Sequence, residues 1–339
     1  MGHPVVDRAV AAYAELQPTL LTVTDEMVEL LISLIDDAGI NYLTVTGRTK
    51  GIGSFAAKAH RRVRAARGSQ GSQAALDPMR TITDQVGARI ITYVRSDVRA
   101  VADLLHDHFT ILEDRDMGQE TASAGQWGYA SRHLLISRDP LGPDGSLPLY
   151  DPTRCVSIQL RTVLQHAWAE FEHEVRYKGT VPPEQVPDLD RRFTLAAGLL
   201  ELADSEFTAI RDRLQAGLSH GGVDADATDP RISAQELATY LAGRYSSAGW
   251  SRTEHYAWIA ELLLQLGIDS LDELTAMLGD VDSDAVTAAM GYHYPPGAVR
   301  RLDDDLLVQL GERYVDLPGN ERRREPLLGR LARARAAGA

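Results

Sequence analysis

Residues Cys155 to Gly179, CVSIQLRTVLQHAWAEFEHEVRYKG, constrain this chain more than any other stretch. Successive side chains of a strand point to opposite faces, so its first half sorts cleanly. Val156, Ile158 and Leu160 enter a core, while Ser157, Gln159 and Arg161 line the other face. Thr162 is placed to cap a following helix. On that helix His166, Glu170 and His173 recur at helical spacing as one polar stripe. Two consecutive elements thus aim polar groups at one place. The stretch reads as one wall of a site, and the residues before it must supply the other.

The chain has 339 residues, 44% of them hydrophobic, enough for one large domain or two. No run approaches the roughly 18 apolar residues needed to span a bilayer, and MGHPVVDRAV has no signal-peptide pattern. A cytoplasmic protein is the expectation. The single cysteine, Cys155, excludes an internal disulfide framework and a thiolate zinc site. A net charge of −13 argues against DNA or any general nucleic-acid affinity, though a local basic patch can still take phosphate.

In chain order, residues 4–17 and 24–38 read as helices, the second capped by Thr24. The strand NYLTVTG follows, then GRTKGIGSFAAKAHRRVRAARG. There Arg48 and Lys50 fall in a glycine turn, Ser54 caps a helix, and Lys58 lies one turn further in. Backbone N–H groups at a helix start beside several cations suit a polyphosphate. A basic solvated helix after a glycine turn fits the pattern equally, and no Gly-Lys-Ser/Thr makes this a P-loop. Asp84 sits on the approach to a second strand at 88–94. A helix at 97–108 carries His106 and Asp107 on its surface, and a third strand near 109–114 ends in a charged turn, 113–116. The strand GYASRHLLIS places Tyr129, Ser131 and His133 on one face. A helix at 189–216 buries Phe193, Ala197, Leu200, Ala203, Phe207, Ile210 and Leu214. Residues 217–231 have linker composition. Shorter helices follow, with the tail arginines 322–324, 330, 333 and 335 on a solvated helix rather than an RNA contact.

Four ordered stretches, GRTKGIGSFAAK, ITDQVGARII, GYASRHLLIS and SIQLRTVLQHAWAEFEHEVRYKG, resemble the successive motifs of the RelA/SpoT alarmone synthetase domain. The resemblance covers about residues 40–180 and points to the single-domain branch. That branch holds small alarmone synthetases and toxic relatives that pyrophosphorylate the tRNA 3′ end. It implies an α/β (α+β) fold: a five-stranded mixed sheet flanked by helices, nucleotidyltransferase-like, over residues 1–216. A linker (217–231) and an all-helical region (232–339) follow. It implies a pyrophosphokinase using ATP, Mg²⁺ and a guanine nucleotide or tRNA 3′ end, with room for a homo-oligomer or an antitoxin partner. Only about 40 residues precede the first strand, so no alarmone-degrading domain is expected.

By the same resemblance Arg48, Lys50, Ser54, Lys58 and Arg89 take ATP, and Asp84 takes Mg²⁺. Tyr129, His133, Gln159 and Arg161 take the acceptor. Asp84, Arg48, Lys58 and Gln159 form the catalytic set. Phosphoryl-type transfer needs mostly positioning and charge neutralisation, which such a set provides. One departure stands out. The family's fifth-strand motif is Glu-x-Gln-x-Arg-Thr, and here the Glu position is Ser157. A serine hydroxyl neither binds Mg²⁺ strongly nor takes a proton at neutral pH. Three readings stay open: a degenerate nucleotide- or protein-binding regulator, a carboxylate from Glu170 or Glu172, or a different acceptor. The stretch MGQETASAGQW, where the family has Lys and Asn/Pro-rich sequence, also weakens guanosine diphosphate as acceptor.

Overall fold

Strand β1 (Thr44–Thr49) lies against helix α1 (Pro4–Ala38) because Gly47 has no side chain. A Cβ there would stand 2.6 Å from Thr24 Cγ2 and 2.7 Å from Val28 Cγ2. The computed structural model describes residues 4–68, 77–118, 131–178, 185–218 and 231–338, positions 247 and 250 aside. Helix α1 is one helix, not the two expected. Its buried stripe, Val6, Tyr13, Leu20, Met27, Leu31 and Ile35, runs past Pro18 without interruption. Thr24 is not a cap: its hydroxyl donates to Leu20 O at 2.7 Å and lies 2.6 Å from Thr49 Oγ1. The helix ends at Gly39, whose φ of +67° is a conformation that costs glycine little. Gly47→Ala is expected to cost about 1–3 kcal/mol through overpacking, read as a lowered thermal midpoint.

Five strands form one sheet in the order β1-β2-β5-β4-β3, with β2 (Val86–Thr92), β3 (Thr110–Asp116), β4 (Arg132–Ser137) and β5 (Cys155–Thr162). Only β2 and β5 run parallel, so the sheet is mixed, as expected. Between β1 and β2 lie α2 (Ile52–Gly68) and a short turn of helix, α3 (Pro78–Thr81). Ala88, Ile90, Leu134, Ile136, Val156, Ile158 and Leu160 are buried on one face. Helix α4 (Arg95–His108) lies against β2, β4 and β5 and buries Val101, Leu104 and Leu105. Residues 113–116 belong to β3 rather than to a turn. Asp114 takes a bidentate bond from Arg132 (2.9 and 2.6 Å) and lies 2.9 Å from His106 Nε2, so that histidine is exposed but engaged.

Helix α5 (Val163–Lys178) follows β5 directly. Its partner α6 (Val186–Leu218) packs Phe193, Ala196, Ala197 and Leu200 around Trp168. Phe207 and Ile210 are exposed, contrary to expectation, because the apolar contact ends where Asp204 takes over. Asp204 is fully buried and accepts from Thr162 Oγ1 at 2.9 Å. The Leu214 side chain lies outside the described positions.

Two compact units result: Met1–Ser33 with Tyr42–Ser205, and Leu34–Asn41 with Glu206–Ala339. The second is helical, with α7 (Ala234–Arg244), α8 (Thr253–Gln265), α9 (Leu271–Met277), α10 (Ser283–Met290), α11 (Ala298–Leu310), α12 (Glu312–Val315) and α13 (Arg324–Ala337). A Ser233–Glu236 capping box starts α7. Of the tail arginines, Arg322, Arg324, Arg333 and Arg335 are exposed as expected, Arg323 is half-buried, and Arg330 departs from the expectation. Arg330 is 1% exposed because α11 offers it two buried aspartates. Among the described residues no helix is long and apolar enough to cross a membrane.

Candidate active site

The junction of β5 and α5 is built as its sequence suggests. Thr162 N donates to Gln165 Oε1 at 2.8 Å and Gln165 N donates to Thr162 Oγ1 at 3.2 Å, a reciprocal cap that fixes the helix start. On β5, Ser157, Gln159 and Arg161 are half-buried while Val156, Ile158 and Leu160 are fully buried. The alternation is as expected.

Register then collects residues far apart in sequence. Thr46, Arg89, Gln159, His133 and Arg115 are successive cross-strand partners, a row running over all five strands on the open face. The neighbouring row holds Arg48, Gly87, Ser157, Leu135 and Glu113. Arg48 therefore sits on β1, not in the following turn. Ser157 has Gly87 beside it, so two small residues stand where the family motif would put a carboxylate. His133 Nε2 lies 2.7 Å from Ser131 Oγ.

Beyond the end of β1, Lys50 and Lys58 converge on Asp84: Nζ to Oδ2 at 2.7 Å and Nζ to Oδ1 at 2.9 Å. Burial alone would raise the Asp84 carboxyl, but hydrogen bonds from both lysines hold it below the usual carboxylate range. Tyr13 of α1 supports this corner. It stacks on Phe55 of α2 with ring centroids 4.1 Å apart, and its hydroxyl donates to Lys50 O at 2.6 Å. Burial, with Asp84 nearby, pushes the Tyr13 phenol up to about 12, so it remains a donor. Ser54 does not cap α2: it is the third residue of that helix and exposed.

A second cluster lies between β2, β5 and α5. Arg89 Nη1 donates to Glu170 Oε1 at 2.8 Å, and His166 Nδ1 stands 3.6 Å from the same oxygen. Arg161 faces both: burial and Arg89 lower its pKa while Glu170 opposes them. Burial and Arg89 likewise lower His166, leaving its imidazole neutral. Tyr129 lies outside the described residues.

Two participants escaped the sequence reading. Tyr13 was legible only as one more member of the buried stripe on α1. Arg115 was hidden in what read as a charged turn; carrying the strand alternation on to Asp116 would have put it on a strand face, and the β3–β4 pairing sets it opposite His133. What the site offers is cationic. Arg48, Lys50, Lys58, Arg89 and Arg161 surround an open face with two engaged carboxylates, an arrangement suited to polyphosphate.

The chain is similar to several known proteins. "GTP pyrophosphokinase YjbM" of Bacillus subtilis is 29% identical over 175 residues, which span 50% of this chain and 72% of that protein. Small alarmone synthetase 1 from Bacillus subtilis is 22% identical at a TM-score of 0.44, covering 60% of this chain and 98% of that one. A GTP pyrophosphokinase family protein from Streptococcus pneumoniae is 25% identical at a TM-score of 0.39, covering 62% and 93%. The family model described as "Region found in RelA / SpoT proteins" matches residues 47–181. The stretch from the end of β1 through α5 is thus the part of the chain that resembles the RelA/SpoT region.

Proposed function

We propose that this region is an ATP-dependent pyrophosphokinase that transfers pyrophosphate to the 3′-hydroxyl of GDP or GTP. The observation that carries the reading is the shared face: register puts Arg48, Arg89, Gln159, His133 and Ser157 on one side of the sheet. The paired Lys50–Asp84–Lys58 corner closes its end. Similarity to the GTP pyrophosphokinase of Bacillus subtilis supports the choice of reaction. Arg48, Lys50, Lys58 and Arg89 take the ATP phosphates, with Ser54 near them. Gln159, Arg161, His133 and Tyr129 receive the acceptor. An ATP-consuming reaction of this kind belongs in the cytoplasm.

Mg²⁺ fits the residues present in one particular way. Among the described residues no cluster of three or more His, Cys, Asp or Glu could hold a metal alone. Magnesium, however, commonly binds through one or two carboxylates plus substrate phosphates. Asp84, with its side chain 37% exposed, is the carboxylate placed for that, its lysines being free to turn to the phosphates. When bound there, the ion would neutralise charge on the phosphate oxygens. The chain's own part is to fix the two substrates in line and to exclude competing geometry.

Incubation of the purified chain with γ-labelled ATP, Mg²⁺ and GDP, GTP, ADP or deacylated tRNA tests the reading. Label on GDP or GTP is the expected result. Label on tRNA alone makes the protein a tRNA 3′-end pyrophosphokinase, an outcome that the missing Lys and Asn/Pro-rich stretch before Gly128 leaves open. Saturable nucleotide binding with no transfer to any acceptor makes it the degenerate regulator that Ser157 permits.

A further inference from the structure

The proposed transfer needs a group to take the acceptor hydroxyl's proton, and the β5 position where the family motif has Glu is Ser157. Ser157 has no carboxylate beside it on the neighbouring strand either, since its β2 partner is Gly87. Glu113 shares that row but lies two strands away across Leu135, about 10 Å at normal strand spacing. Asp84, held by Lys50 and Lys58, is the carboxylate already proposed for Mg²⁺. Glu170 is different. It enters from α5 onto the middle row of the face, where its partner Arg89 lies beside Gln159. Its side chain is 55% exposed, so it can reorient. His166 beside it is lowered by burial and by Arg89, so Arg89 is the cation that compensates Glu170.

We propose that Glu170 on α5, released when ATP phosphates draw Arg89 away, is the carboxylate that accepts the acceptor hydroxyl's proton. The inference rests on the pyrophosphokinase reading. In the step, the acceptor O–H bond breaks and that oxygen forms a bond to the β-phosphorus of ATP. The bond from the β-phosphorus to the oxygen bridging the α-phosphorus breaks, and AMP leaves with that electron pair. The proton goes to a Glu170 carboxylate oxygen. Arg89 passes from one anion to another, so its charge stays compensated before and after ATP binds. The exchange also orders the site: the base is freed only once the nucleotide is in place. A hydrogen bond that is misaligned in the free site and tightens with substrate is common for general bases.

The test is steady-state transfer by the full chain carrying Glu170→Gln, alone and combined with Ser157→Glu. Thermal midpoints are measured alongside to show that each variant folds. Expected is a loss in kcat of about 10²-fold for Glu170→Gln, with the KM for ATP changed by less than about threefold. In the double variant, the carboxylate on β5 is expected to recover at least about tenfold of that loss. If Glu170 only holds Arg89 in position, the loss falls on the KM for ATP and Ser157→Glu recovers nothing; that result overturns the inference. So does a Glu170→Gln chain with undiminished kcat. A wild-type chain that transfers no label at all would instead overturn the functional reading beneath it.

Discussion

Asp84→Asn is expected to lower pyrophosphate transfer by about 10²–10³-fold, the usual effect of removing one preorganised electrostatic group. The substitution keeps shape and volume while removing the charge that holds Lys50 and Lys58 at 2.7 and 2.9 Å. Two ammonium groups then repel each other across a neutral amide, and the carboxylate proposed for Mg²⁺ is gone. Fold is expected to survive, because Tyr13, Phe55 and the Lys50 carbonyl still pack as before. Circular dichroism close to wild type, with kcat lost, is the result to look for. An Asp84→Asn chain transferring at the wild-type rate removes Asp84 from the machinery. The pH dependence has a definite sign. The folded carboxyl titrates below its ordinary value, so its stabilising ion pairs are complete above about pH 4 and weaken only as pH falls through the lower folded value. Between pH 5 and 8 this corner contributes no slope to stability.

How much of this was legible in advance depends on whether the signal is local. The β5 alternation was, because Ser157, Gln159 and Arg161 interleave with Val156, Ile158 and Leu160 within eight residues. The cap at Thr162 was legible for the same reason. The row Arg89–Gln159–His133 was not, since it depends on a strand order, β2-β5-β4, that no short window contains. The residue types on it were right, and only pairing could show that they share one row. Helix α1 misled through two real local signals. Pro18 and Thr24 both read as boundaries, and tertiary burial of Tyr13, Leu20 and Met27 outweighed them. Glu170 stood out as part of a polar stripe, yet its attachment to Arg89, 81 positions away, belongs to the folded chain alone. Within the arginine tail, Arg330 is where the expectation failed. Arginines normally face water, and nothing near Arg330 in sequence announces the aspartates of α11 that accept it.

Arg330→Met is expected to destabilise the second unit by about 3–5 kcal/mol, the range for breaking a buried ion pair by deleting one partner. Arg330 Nη1 donates to Asp304 Oδ1 at 2.7 Å and Nη2 to Asp303 Oδ2 at 2.6 Å, and all three side chains are at most 3% exposed. The same network takes in Arg300, Arg323 and Asp37 from the end of α1. Three arginines face three aspartates, so removing Arg330 leaves one negative charge buried without compensation. Burial pushes the Asp303 carboxyl up, but Arg323 and Arg330 hold it far below the usual range. Its contribution is therefore present above about pH 4 and lost as pH falls below that. Around it Leu302, Leu306, Leu307, Leu327 and Leu331 form a continuous apolar core, which prevents water from replacing the missing guanidinium. A thermal transition lowered by about 10 °C, with faster amide exchange in α11 and α13, is the expected measurement. Arg330→Lys separates charge from geometry. An ammonium keeps the charge but cannot bridge two carboxylates as a planar fork does, so its loss should fall between wild type and Arg330→Met. If Lys restores full stability, net charge alone holds the network together. If Met costs nothing, the ion pairs are dispensable and the leucine core carries the unit.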